Sequence, residues 1–503
     1  MNGKTLLFLG VGCAALAFGA GSAAAFQSVQ PRMGDPLDGL TVDQMDRFIK
    51  GKVQFVRVFT AEEGLGPIFN KDSCGGCHST PVGGTGSQTV TRAGLATKGG
   101  FDPLDELGGS LFQQEAISDD CREDVPEFAN VRARRATNGM MGYGLVQAIA
   151  DDDIAANADP DDLDGDGISG RVRITQAVDD LPKIVDRVGR FGWKAHSATM
   201  LDFSAGAALN EVGITNVFHP EDNDPNGIDP PELADCDDIE DPEDIADAEG
   251  FFYIERVADF QRFLAAPPQT PKSGMTGEGL FIQIGCNNCH LATVFTTPDD
   301  RALEDALRNK PVKPYSDFLL HNMGQLGDGI VQGPAGADEF RTTPLMGFRM
   351  RDPIIHDGRV AAGTFEDRVM KAIAWHAVLG SEALDSGTLF LNGVCPLGPL
   401  DCVDFDGDPI PCPTCPPSVP EGLNAEERGH IIAFLNSLGR AEFDADGDND
   451  IDVADYLNLR DCFTLNAVYT ADDPCAIHDR DQDGDVDFDD LAGFRNAYTG
   501  SNQ

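Results

Sequence analysis

Cys74-Gly75-Gly76-Cys77-His78 and Cys286-Asn287-Asn288-Cys289-His290 repeat one arrangement of thiols and imidazole at two distant places in the chain. Two thiols two residues apart share one helical turn and can bond the two vinyl groups of a single haem, while the adjacent imidazole faces the iron as its proximal ligand. A zinc site or a disulfide oxidoreductase motif would be the rival for one such spacing. Two complete pentapeptides in one chain favour two covalently bound haem c groups, on Cys74, Cys77 and His78 and on Cys286, Cys289 and His290. A pair of haems either stores and passes electrons or does chemistry at one iron fed by the other. Their sixth ligands decide which.

A second chemistry is written in aspartate. Asp444, Asp446, Asp448, Asp452 and Asp455 recur as Asp479, Asp481, Asp483, Asp487 and Asp490, 35 residues later. Each set supplies oxygen at loop positions 1, 3, 5, 9 and 12, the spacing that wraps a chain around Ca²⁺. Gly484 occupies the turn position of the second loop and Asn449 that of the first, and both loops end in Asp where an EF-hand has Glu. Asp162-Leu163-Asp164-Gly165-Asp166-Gly167 is a looser third candidate, so two or more calcium ions are expected.

The remaining chain must position these groups. Lys4, an apolar run from Leu6 to Phe18 and small residues at Ala23-Ala24-Ala25 read as a signal peptide over 1–25, which places the protein in the periplasm or outside the cell. Later residues offer no run long and apolar enough to span a membrane. With 84 acidic against 37 basic residues and a net charge of −47, nucleic acid and anionic lipid surfaces are poor partners. Once Cys13 and the four motif cysteines are set aside, eight remain, an even number that suits disulfides in an exported protein. Cys462 with Cys475, and a local pairing among Cys395 to Cys415, are the simplest; Cys412-Pro413-Thr414-Cys415 could instead be a redox dithiol.

Amphipathic stretches such as Thr41 to Lys50 and Val185 to Phe191, Gly-rich loops and one haem motif define an N-terminal cytochrome c-like domain over 26–235. An acidic linker over 236–250 leads to a second such domain over 251–440. There Met275 to Ile284 precedes the haem motif and Asn424 to Leu435 forms a closing helix. Residues 441–503 form the calcium-loop module. The expected fold is therefore mainly α: two cytochrome c-like haem domains in tandem plus a small α-helical calcium-loop module.

Gly189-Arg190-Phe191-Gly192-Trp193-Lys194-Ala195, Asn210-Glu211-Val212-Gly213-Ile214-Thr215 and His356-Asp357-Gly358-Arg359, with the two haem motifs, resemble the dihaem oxidoreductase family, also called thiol oxidoreductases. More distantly, the chain resembles bacterial dihaem cytochrome c peroxidases and the dihaem enzyme that matures tryptophan tryptophylquinone. The resemblance spans about residues 40 to 440. It implies that Glu211, sixteen residues after Ala195, is the distal acid–base carboxylate of the first haem, and that Trp193 relays electrons between the haems. It also implies His376 as sixth ligand of the second haem, with Met370 and Met323 as rivals, and places Tyr315 to Gly324 nearby, where His321 makes a hydrogen bond. Arg359 and Arg341 are candidates to pair with haem propionates. The paired Asp loops, each followed by a short helix, resemble a dockerin type I module, which implies a cohesin-like partner. The expected function is an exported, peroxidase-like dihaem oxidoreductase in which electrons pass from the C-terminal haem to a reactive N-terminal one. Its electrons would come from a donor protein or a small redox substrate. The alternative is a dihaem electron carrier without substrate chemistry, docked through its C-terminal module.

Overall fold

The computed structural model describes residues 29–180, 183–227, 236, 239–301, 303–398, 401–403, 407, 409–410, 412–464 and 468–500. The signal-peptide expectation for 1–25 lies outside them. Each haem motif follows a helix, and each of those helices is crossed by a later one at a glycine. Helix Val42–Phe55 starts with a capping box, Thr41 accepting from the Gln44 amide and Gln44 reaching back. It packs against helix Tyr253–Phe263, with Phe48 and Phe55 5.3 and 4.8 Å from Phe260 between ring centres. At the crossing, a Cβ on Gly51 would lie 2.4 Å from the Arg256 carbonyl oxygen, so only glycine lets the backbones approach. Arg47 clamps the crossing by bonding Asp259 and Glu304, both at 2.7 Å.

The second half repeats the device. Helix Thr276–Gln283 is crossed by helix Ala425–Ser437, where a Cβ on Gly277 would lie 1.9 Å from the His430 carbonyl oxygen. Phe281 and Phe434 meet at 5.4 Å. The two apolar cores keep this division, one holding Phe48, Phe55, Phe260 and Phe263, the other Phe281, Phe434, Ile431 and Trp375. Helix Tyr253–Phe263 follows the acidic stretch in sequence but belongs to the first core.

The mainly α expectation is corrected: the chain is 33% helix and 15% strand. Strands Thr89–Thr97, Gly100–Asp102, Ser110–Phe112 and Val131–Ala136 form an antiparallel sheet beside the first haem motif. A hairpin of Ile174–Asp180 and Lys183–Val188 follows. It takes up the start of the amphipathic stretch at Val185 to Phe191. The sheet forms because Thr-Val-Thr-Arg-Ala-Gly-Leu-Ala-Thr over 89–97 is rich in β-branched residues, and because paired strands satisfy backbone groups that a Gly-rich loop would leave to water.

Residues from Ala441 onward gather a small core of Phe443, Ile451, Leu459, Val486 and Phe494 around helices Val453–Cys462 and Phe488–Ala497. Asp452 and Asp487 cap those helices. This unit is fastened to the second haem half by Lys272 to Glu442 at 2.6 Å, Thr276 to Asp472 at 2.5 Å and Arg349 to Asp444 at 3.3 Å. Disulfides join Cys121 to Cys236, Cys395 to Cys415, Cys402 to Cys412 and Cys462 to Cys475. Cys412 and Cys415 therefore pair with other partners and do not form a dithiol with each other. Among the described residues no helix is long and apolar enough to cross a membrane.

Candidate dihaem site

Four cysteines among the described residues stay outside disulfides: Cys74, Cys77, Cys286 and Cys289, those of the two pentapeptides. Each pair opens onto a cavity. Cys74, Cys77 and His78 line one of about 1040 Å³. Cys286, Cys289 and His290 line one of about 200 Å³ with a largely apolar wall of Phe281, Val369, Phe390, Ile431 and Leu435.

The imidazoles are prepared as ligands. His78 Nδ1 bonds the Gly84 carbonyl at 3.1 Å and His290 Nδ1 bonds the Tyr315 carbonyl at 3.0 Å. A carbonyl only accepts, so each Nδ1 carries the proton, which leaves Nε2 of His290 with a free lone pair; His78 meets the Asn138 main chain as well. Burial drives both groups to about 4, which keeps them neutral as metal binding needs. The unpaired thiols, the prepared imidazole and the adjoining cavity fit a covalently attached haem at each motif.

His376 enters the second cavity from the far end of helix Phe365–His376, which Thr364 and Asp367 start with a capping box. Its Nδ1 bonds the Ala372 carbonyl at 2.8 Å, leaving Nε2 free in the same way. Met323 also lines this cavity; Met370 is not among its lining residues. His321 is held by Asp317 and Glu382 and is not free to ligate. Arg341 lines the cavity with Nη2 meeting no protein acceptor, which suits a propionate. Arg359 bonds Asp357, stacks 4.2 Å over Trp375 and lies against a separate cavity.

Glu211 lines the first cavity. Thr199 caps helix Met200–Ala207, and a π-turn over Ala208–Val212 swings Glu211 out of helical register, an insertion that often marks functional sites. Gly213 ends the turn, and contact with Gly66 is so close that a Cβ there would come within 1.9 Å of the Gly213 carbonyl oxygen. Burial raises the Glu211 carboxyl to about 7, opposed by a 2.7 Å bond from Asn70 and the charge of Arg92.

Trp193 lines both cavities. Two buried cations fix the turn that carries it: Arg190 donates to the Ile149 carbonyl at 2.6 Å, and Lys194 to the Gly336 carbonyl at 2.7 Å. The indole Nε1 donates to the Ala136 carbonyl at 2.9 Å, and the Arg351 guanidinium lies 5.2 Å from the ring centre. Sequence reasoning missed Arg92 and Arg135, which line the first cavity from adjacent strands. Arg92 Nε and Arg135 Nη2 meet no protein acceptor, the state a buried anion such as a propionate would relieve. Two arginines in alternating strands carried too little pattern to single out.

The last two Asp loops place their carboxylates together. Oxygens of Asp444, Asp446 and Asp455 lie within 4.8 Å of one another, as do those of Asp479, Asp481 and Asp483.

Two cavities of this kind, each ending in a thiol pair and a prepared imidazole, fit a dihaem redox protein. Residues 112–393, more than half of the chain, match the family described as "Di-haem oxidoreductase, putative peroxidase". The chain belongs to the di-haem oxidoreductase family. The matched span contains Trp193, Glu211, the second haem motif and His376. Among solved structures the chain is similar to a MauG-like protein associated with microbial copper homeostasis, at 14% identity and TM-score 0.33, covering 82% of this chain and 93% of that one. It is also similar to the hydrazine synthase of Kuenenia stuttgartiensis, at 13% identity and TM-score 0.29, covering 87% of this chain and 100% of that one. Likeness at this level carries no argument about activity. No curated protein matches the chain. The C-terminal unit lies outside the family match, and the dockerin-like expectation gains no support from these comparisons.

Proposed function

We propose that the protein is a dihaem oxidoreductase of the peroxidase type, with the first cavity as its reactive site and the second as its electron-feeding site. The observation that carries this reading is the inequality of the two cavities, about 1040 Å³ against about 200 Å³ for what is the same attached group. The first leaves room for a substrate beside a haem. The second is narrower and carries a second imidazole, His376, in its wall.

Haem held by His78 with Cys74 and Cys77, and by His290 with Cys286 and Cys289, would supply one-electron redox chemistry. The chain's own residues supply the rest. Glu211, poised near neutral pH at the wall of the roomy cavity, can take the proton of one peroxide oxygen and return it to the other as the O–O bond breaks. Reducing hydrogen peroxide to two waters consumes two electrons and two protons, and Trp193, shared by both cavities, is the side chain across which electrons from an external donor would travel. Arg92, Arg135 and Arg341 would hold propionates and so orient each group.

An absorption spectrum of the purified ferric protein separates this from a plain electron carrier. A high-spin fraction that disappears on adding cyanide is expected. Two wholly low-spin haems in every redox state would overturn the enzyme reading.

We also propose that Asp444, Asp446, Asp448, Asp452 and Asp455, and Asp479, Asp481, Asp483, Asp487 and Asp490, bind calcium. The support is the convergence of carboxylates whose mutual repulsion a divalent cation would relieve. Four disulfides together with covalent haem motifs support export to an oxidising compartment.

A further inference from the structure

One sulfur of each motif is touched by a polar side chain from elsewhere in the fold, and the two contacts differ in charge. At the first motif the Tyr253 hydroxyl lies 3.5 Å from Cys74 Sγ. At the second, His321 Nδ1 lies 3.8 Å from Cys289 Sγ. His321 is only 3% exposed, and a carboxylate meets each of its nitrogens: Nε2 faces Asp317 Oδ2 and Nδ1 faces Glu382 Oε2, both at 2.8 Å. A carboxylate only accepts, so an imidazole bonded to two of them carries both protons and a positive charge.

Other donors also meet the two carboxylates. Glu382 accepts from the Ser169 amide at 3.1 Å and hydroxyl at 2.7 Å and from the Asn322 amide at 3.2 Å; Asp317 accepts from the Leu319 amide at 2.9 Å. Among the ion pairs of the described residues, both carboxylates pair with His321, and Arg341 acts on Asp317 only through its field. Gly170 admits the ring, since a Cβ there would come within 2.7 Å of His321 Cε1. His321 and Glu382 line the second cavity. The cluster sums to one negative charge in a low-dielectric wall, where charge acts strongly.

We infer that Asp317, His321 and Glu382 form a charged clamp against the Cys289 sulfur that sets the reduction potential of the second haem. The His321 cation favours the reduced haem, the two carboxylates favour the oxidised one, and the net negative charge holds the potential lower than a neutral wall would. The inference rests on haem attachment at Cys286 and Cys289, and it is independent of which haem meets peroxide.

The test is spectroelectrochemical titration of the full-length holoprotein, after its haem content has been confirmed by mass. His321→Gln removes the cation and lowers one of the two midpoint potentials. Glu382→Gln and Asp317→Asn each remove a negative charge while keeping an acceptor for the imidazole, and they raise the same potential. Opposite signs at one haem are the signature; shifts of one sign, no shift, or equal shifts at both haems would overturn the clamp. Should His321→Gln lose the second haem, the two carboxylate variants decide by their sign alone. A wild-type protein with no haem on Cys286 and Cys289 would instead defeat the haem assignment.

Discussion

Asn70 and Glu211 are tied twice, the Asn70 side-chain amide donating to Glu211 Oε2 at 2.7 Å and the Asn70 main-chain amide to the Glu211 carbonyl at 2.9 Å. The double tie fixes the carboxyl at the wall of the first cavity while burial raises it from 4.5 to about 7. The side-chain bond works against burial, so its loss in Asn70→Ala moves the ionisation higher, and the inflection of the peroxide-turnover profile moves to higher pH. Glu211→Gln keeps the shape and removes the proton transfer, with turnover falling about 10²–10⁴-fold. The same shift affects stability. A raised carboxyl makes the folded state bind more protons than the unfolded one between pH 4.5 and about 7, so its contribution falls as pH rises through that window and is flat above it. Melting curves of Glu211→Gln should lack that part of the slope.

Trp193→Phe tests the bridge between the cavities. Phenylalanine preserves the edge contacts with Phe340 and His356 at 6.4 and 6.1 Å and loses the bond to the Ala136 carbonyl, a cost of about 1 kcal/mol. Each haem spectrum should be unchanged, and after rapid reduction of one haem the redistribution of electrons to the other should slow. An unaltered redistribution rate would remove Trp193 from the path.

The haem motifs were legible because their chemistry is local: two thiols and an imidazole within five residues need no tertiary context. The helices that begin at Thr41 and Asn424 were legible for the same reason, since an amphipathic repeat is written in neighbouring residues. The sheet over Thr89 to Ala136 was not, because its pairings span up to 47 residues, from Thr89 to Ala136, and its strands are short and interrupted by loops. Nor could sequence place helix Tyr253–Phe263 in the first core, because the residues it packs on, Arg47, Phe48, Gly51 and Phe55, lie about 200 residues away. The unequal cavities, which carry the functional reading, arise from the packing of many segments and leave no trace at any one position.

Glycine substitutions test the crossed helices. Gly51→Ala and Gly277→Ala each drive a methyl into a backbone carbonyl, which cannot rotate away, and should destabilise by about 1–3 kcal/mol. Gly279 lies two residues on in the same helix as Gly277 and faces open space. Gly279→Ala should therefore stabilise by about 1 kcal/mol through helix propensity alone. Thermal melts of the three variants would settle the contrast, and a destabilising Gly279→Ala would break the argument from backbone contact.

Calcium removal tests the Asp loops. Asp455 and Asp490 each bond back to the start of the preceding loop, Asp455 to the Ala445 amide at 2.7 Å and Asp490 to the Arg480 amide at 2.8 Å, so the loops are closed by the same residues that would hold the ion. The Cys462–Cys475 disulfide and the Phe443, Val486 and Phe494 core hold the unit together without metal, so chelation should lower its melting temperature and leave it folded at room temperature. A ligand bound only by the folded state adds RT ln(1 + [L]/Kd), about 2.7 kcal/mol at a hundredfold excess over Kd. Asp446→Asn and Asp481→Asn keep the loop shape and remove one charge each, and together they should abolish the calcium-dependent gain. Arg349 reaches Asp444 from the haem half, so the first loop is partly neutralised already. Asp481→Asn alone should therefore lose more of the gain than Asp446→Asn alone, and calorimetry with and without calcium reads that order directly.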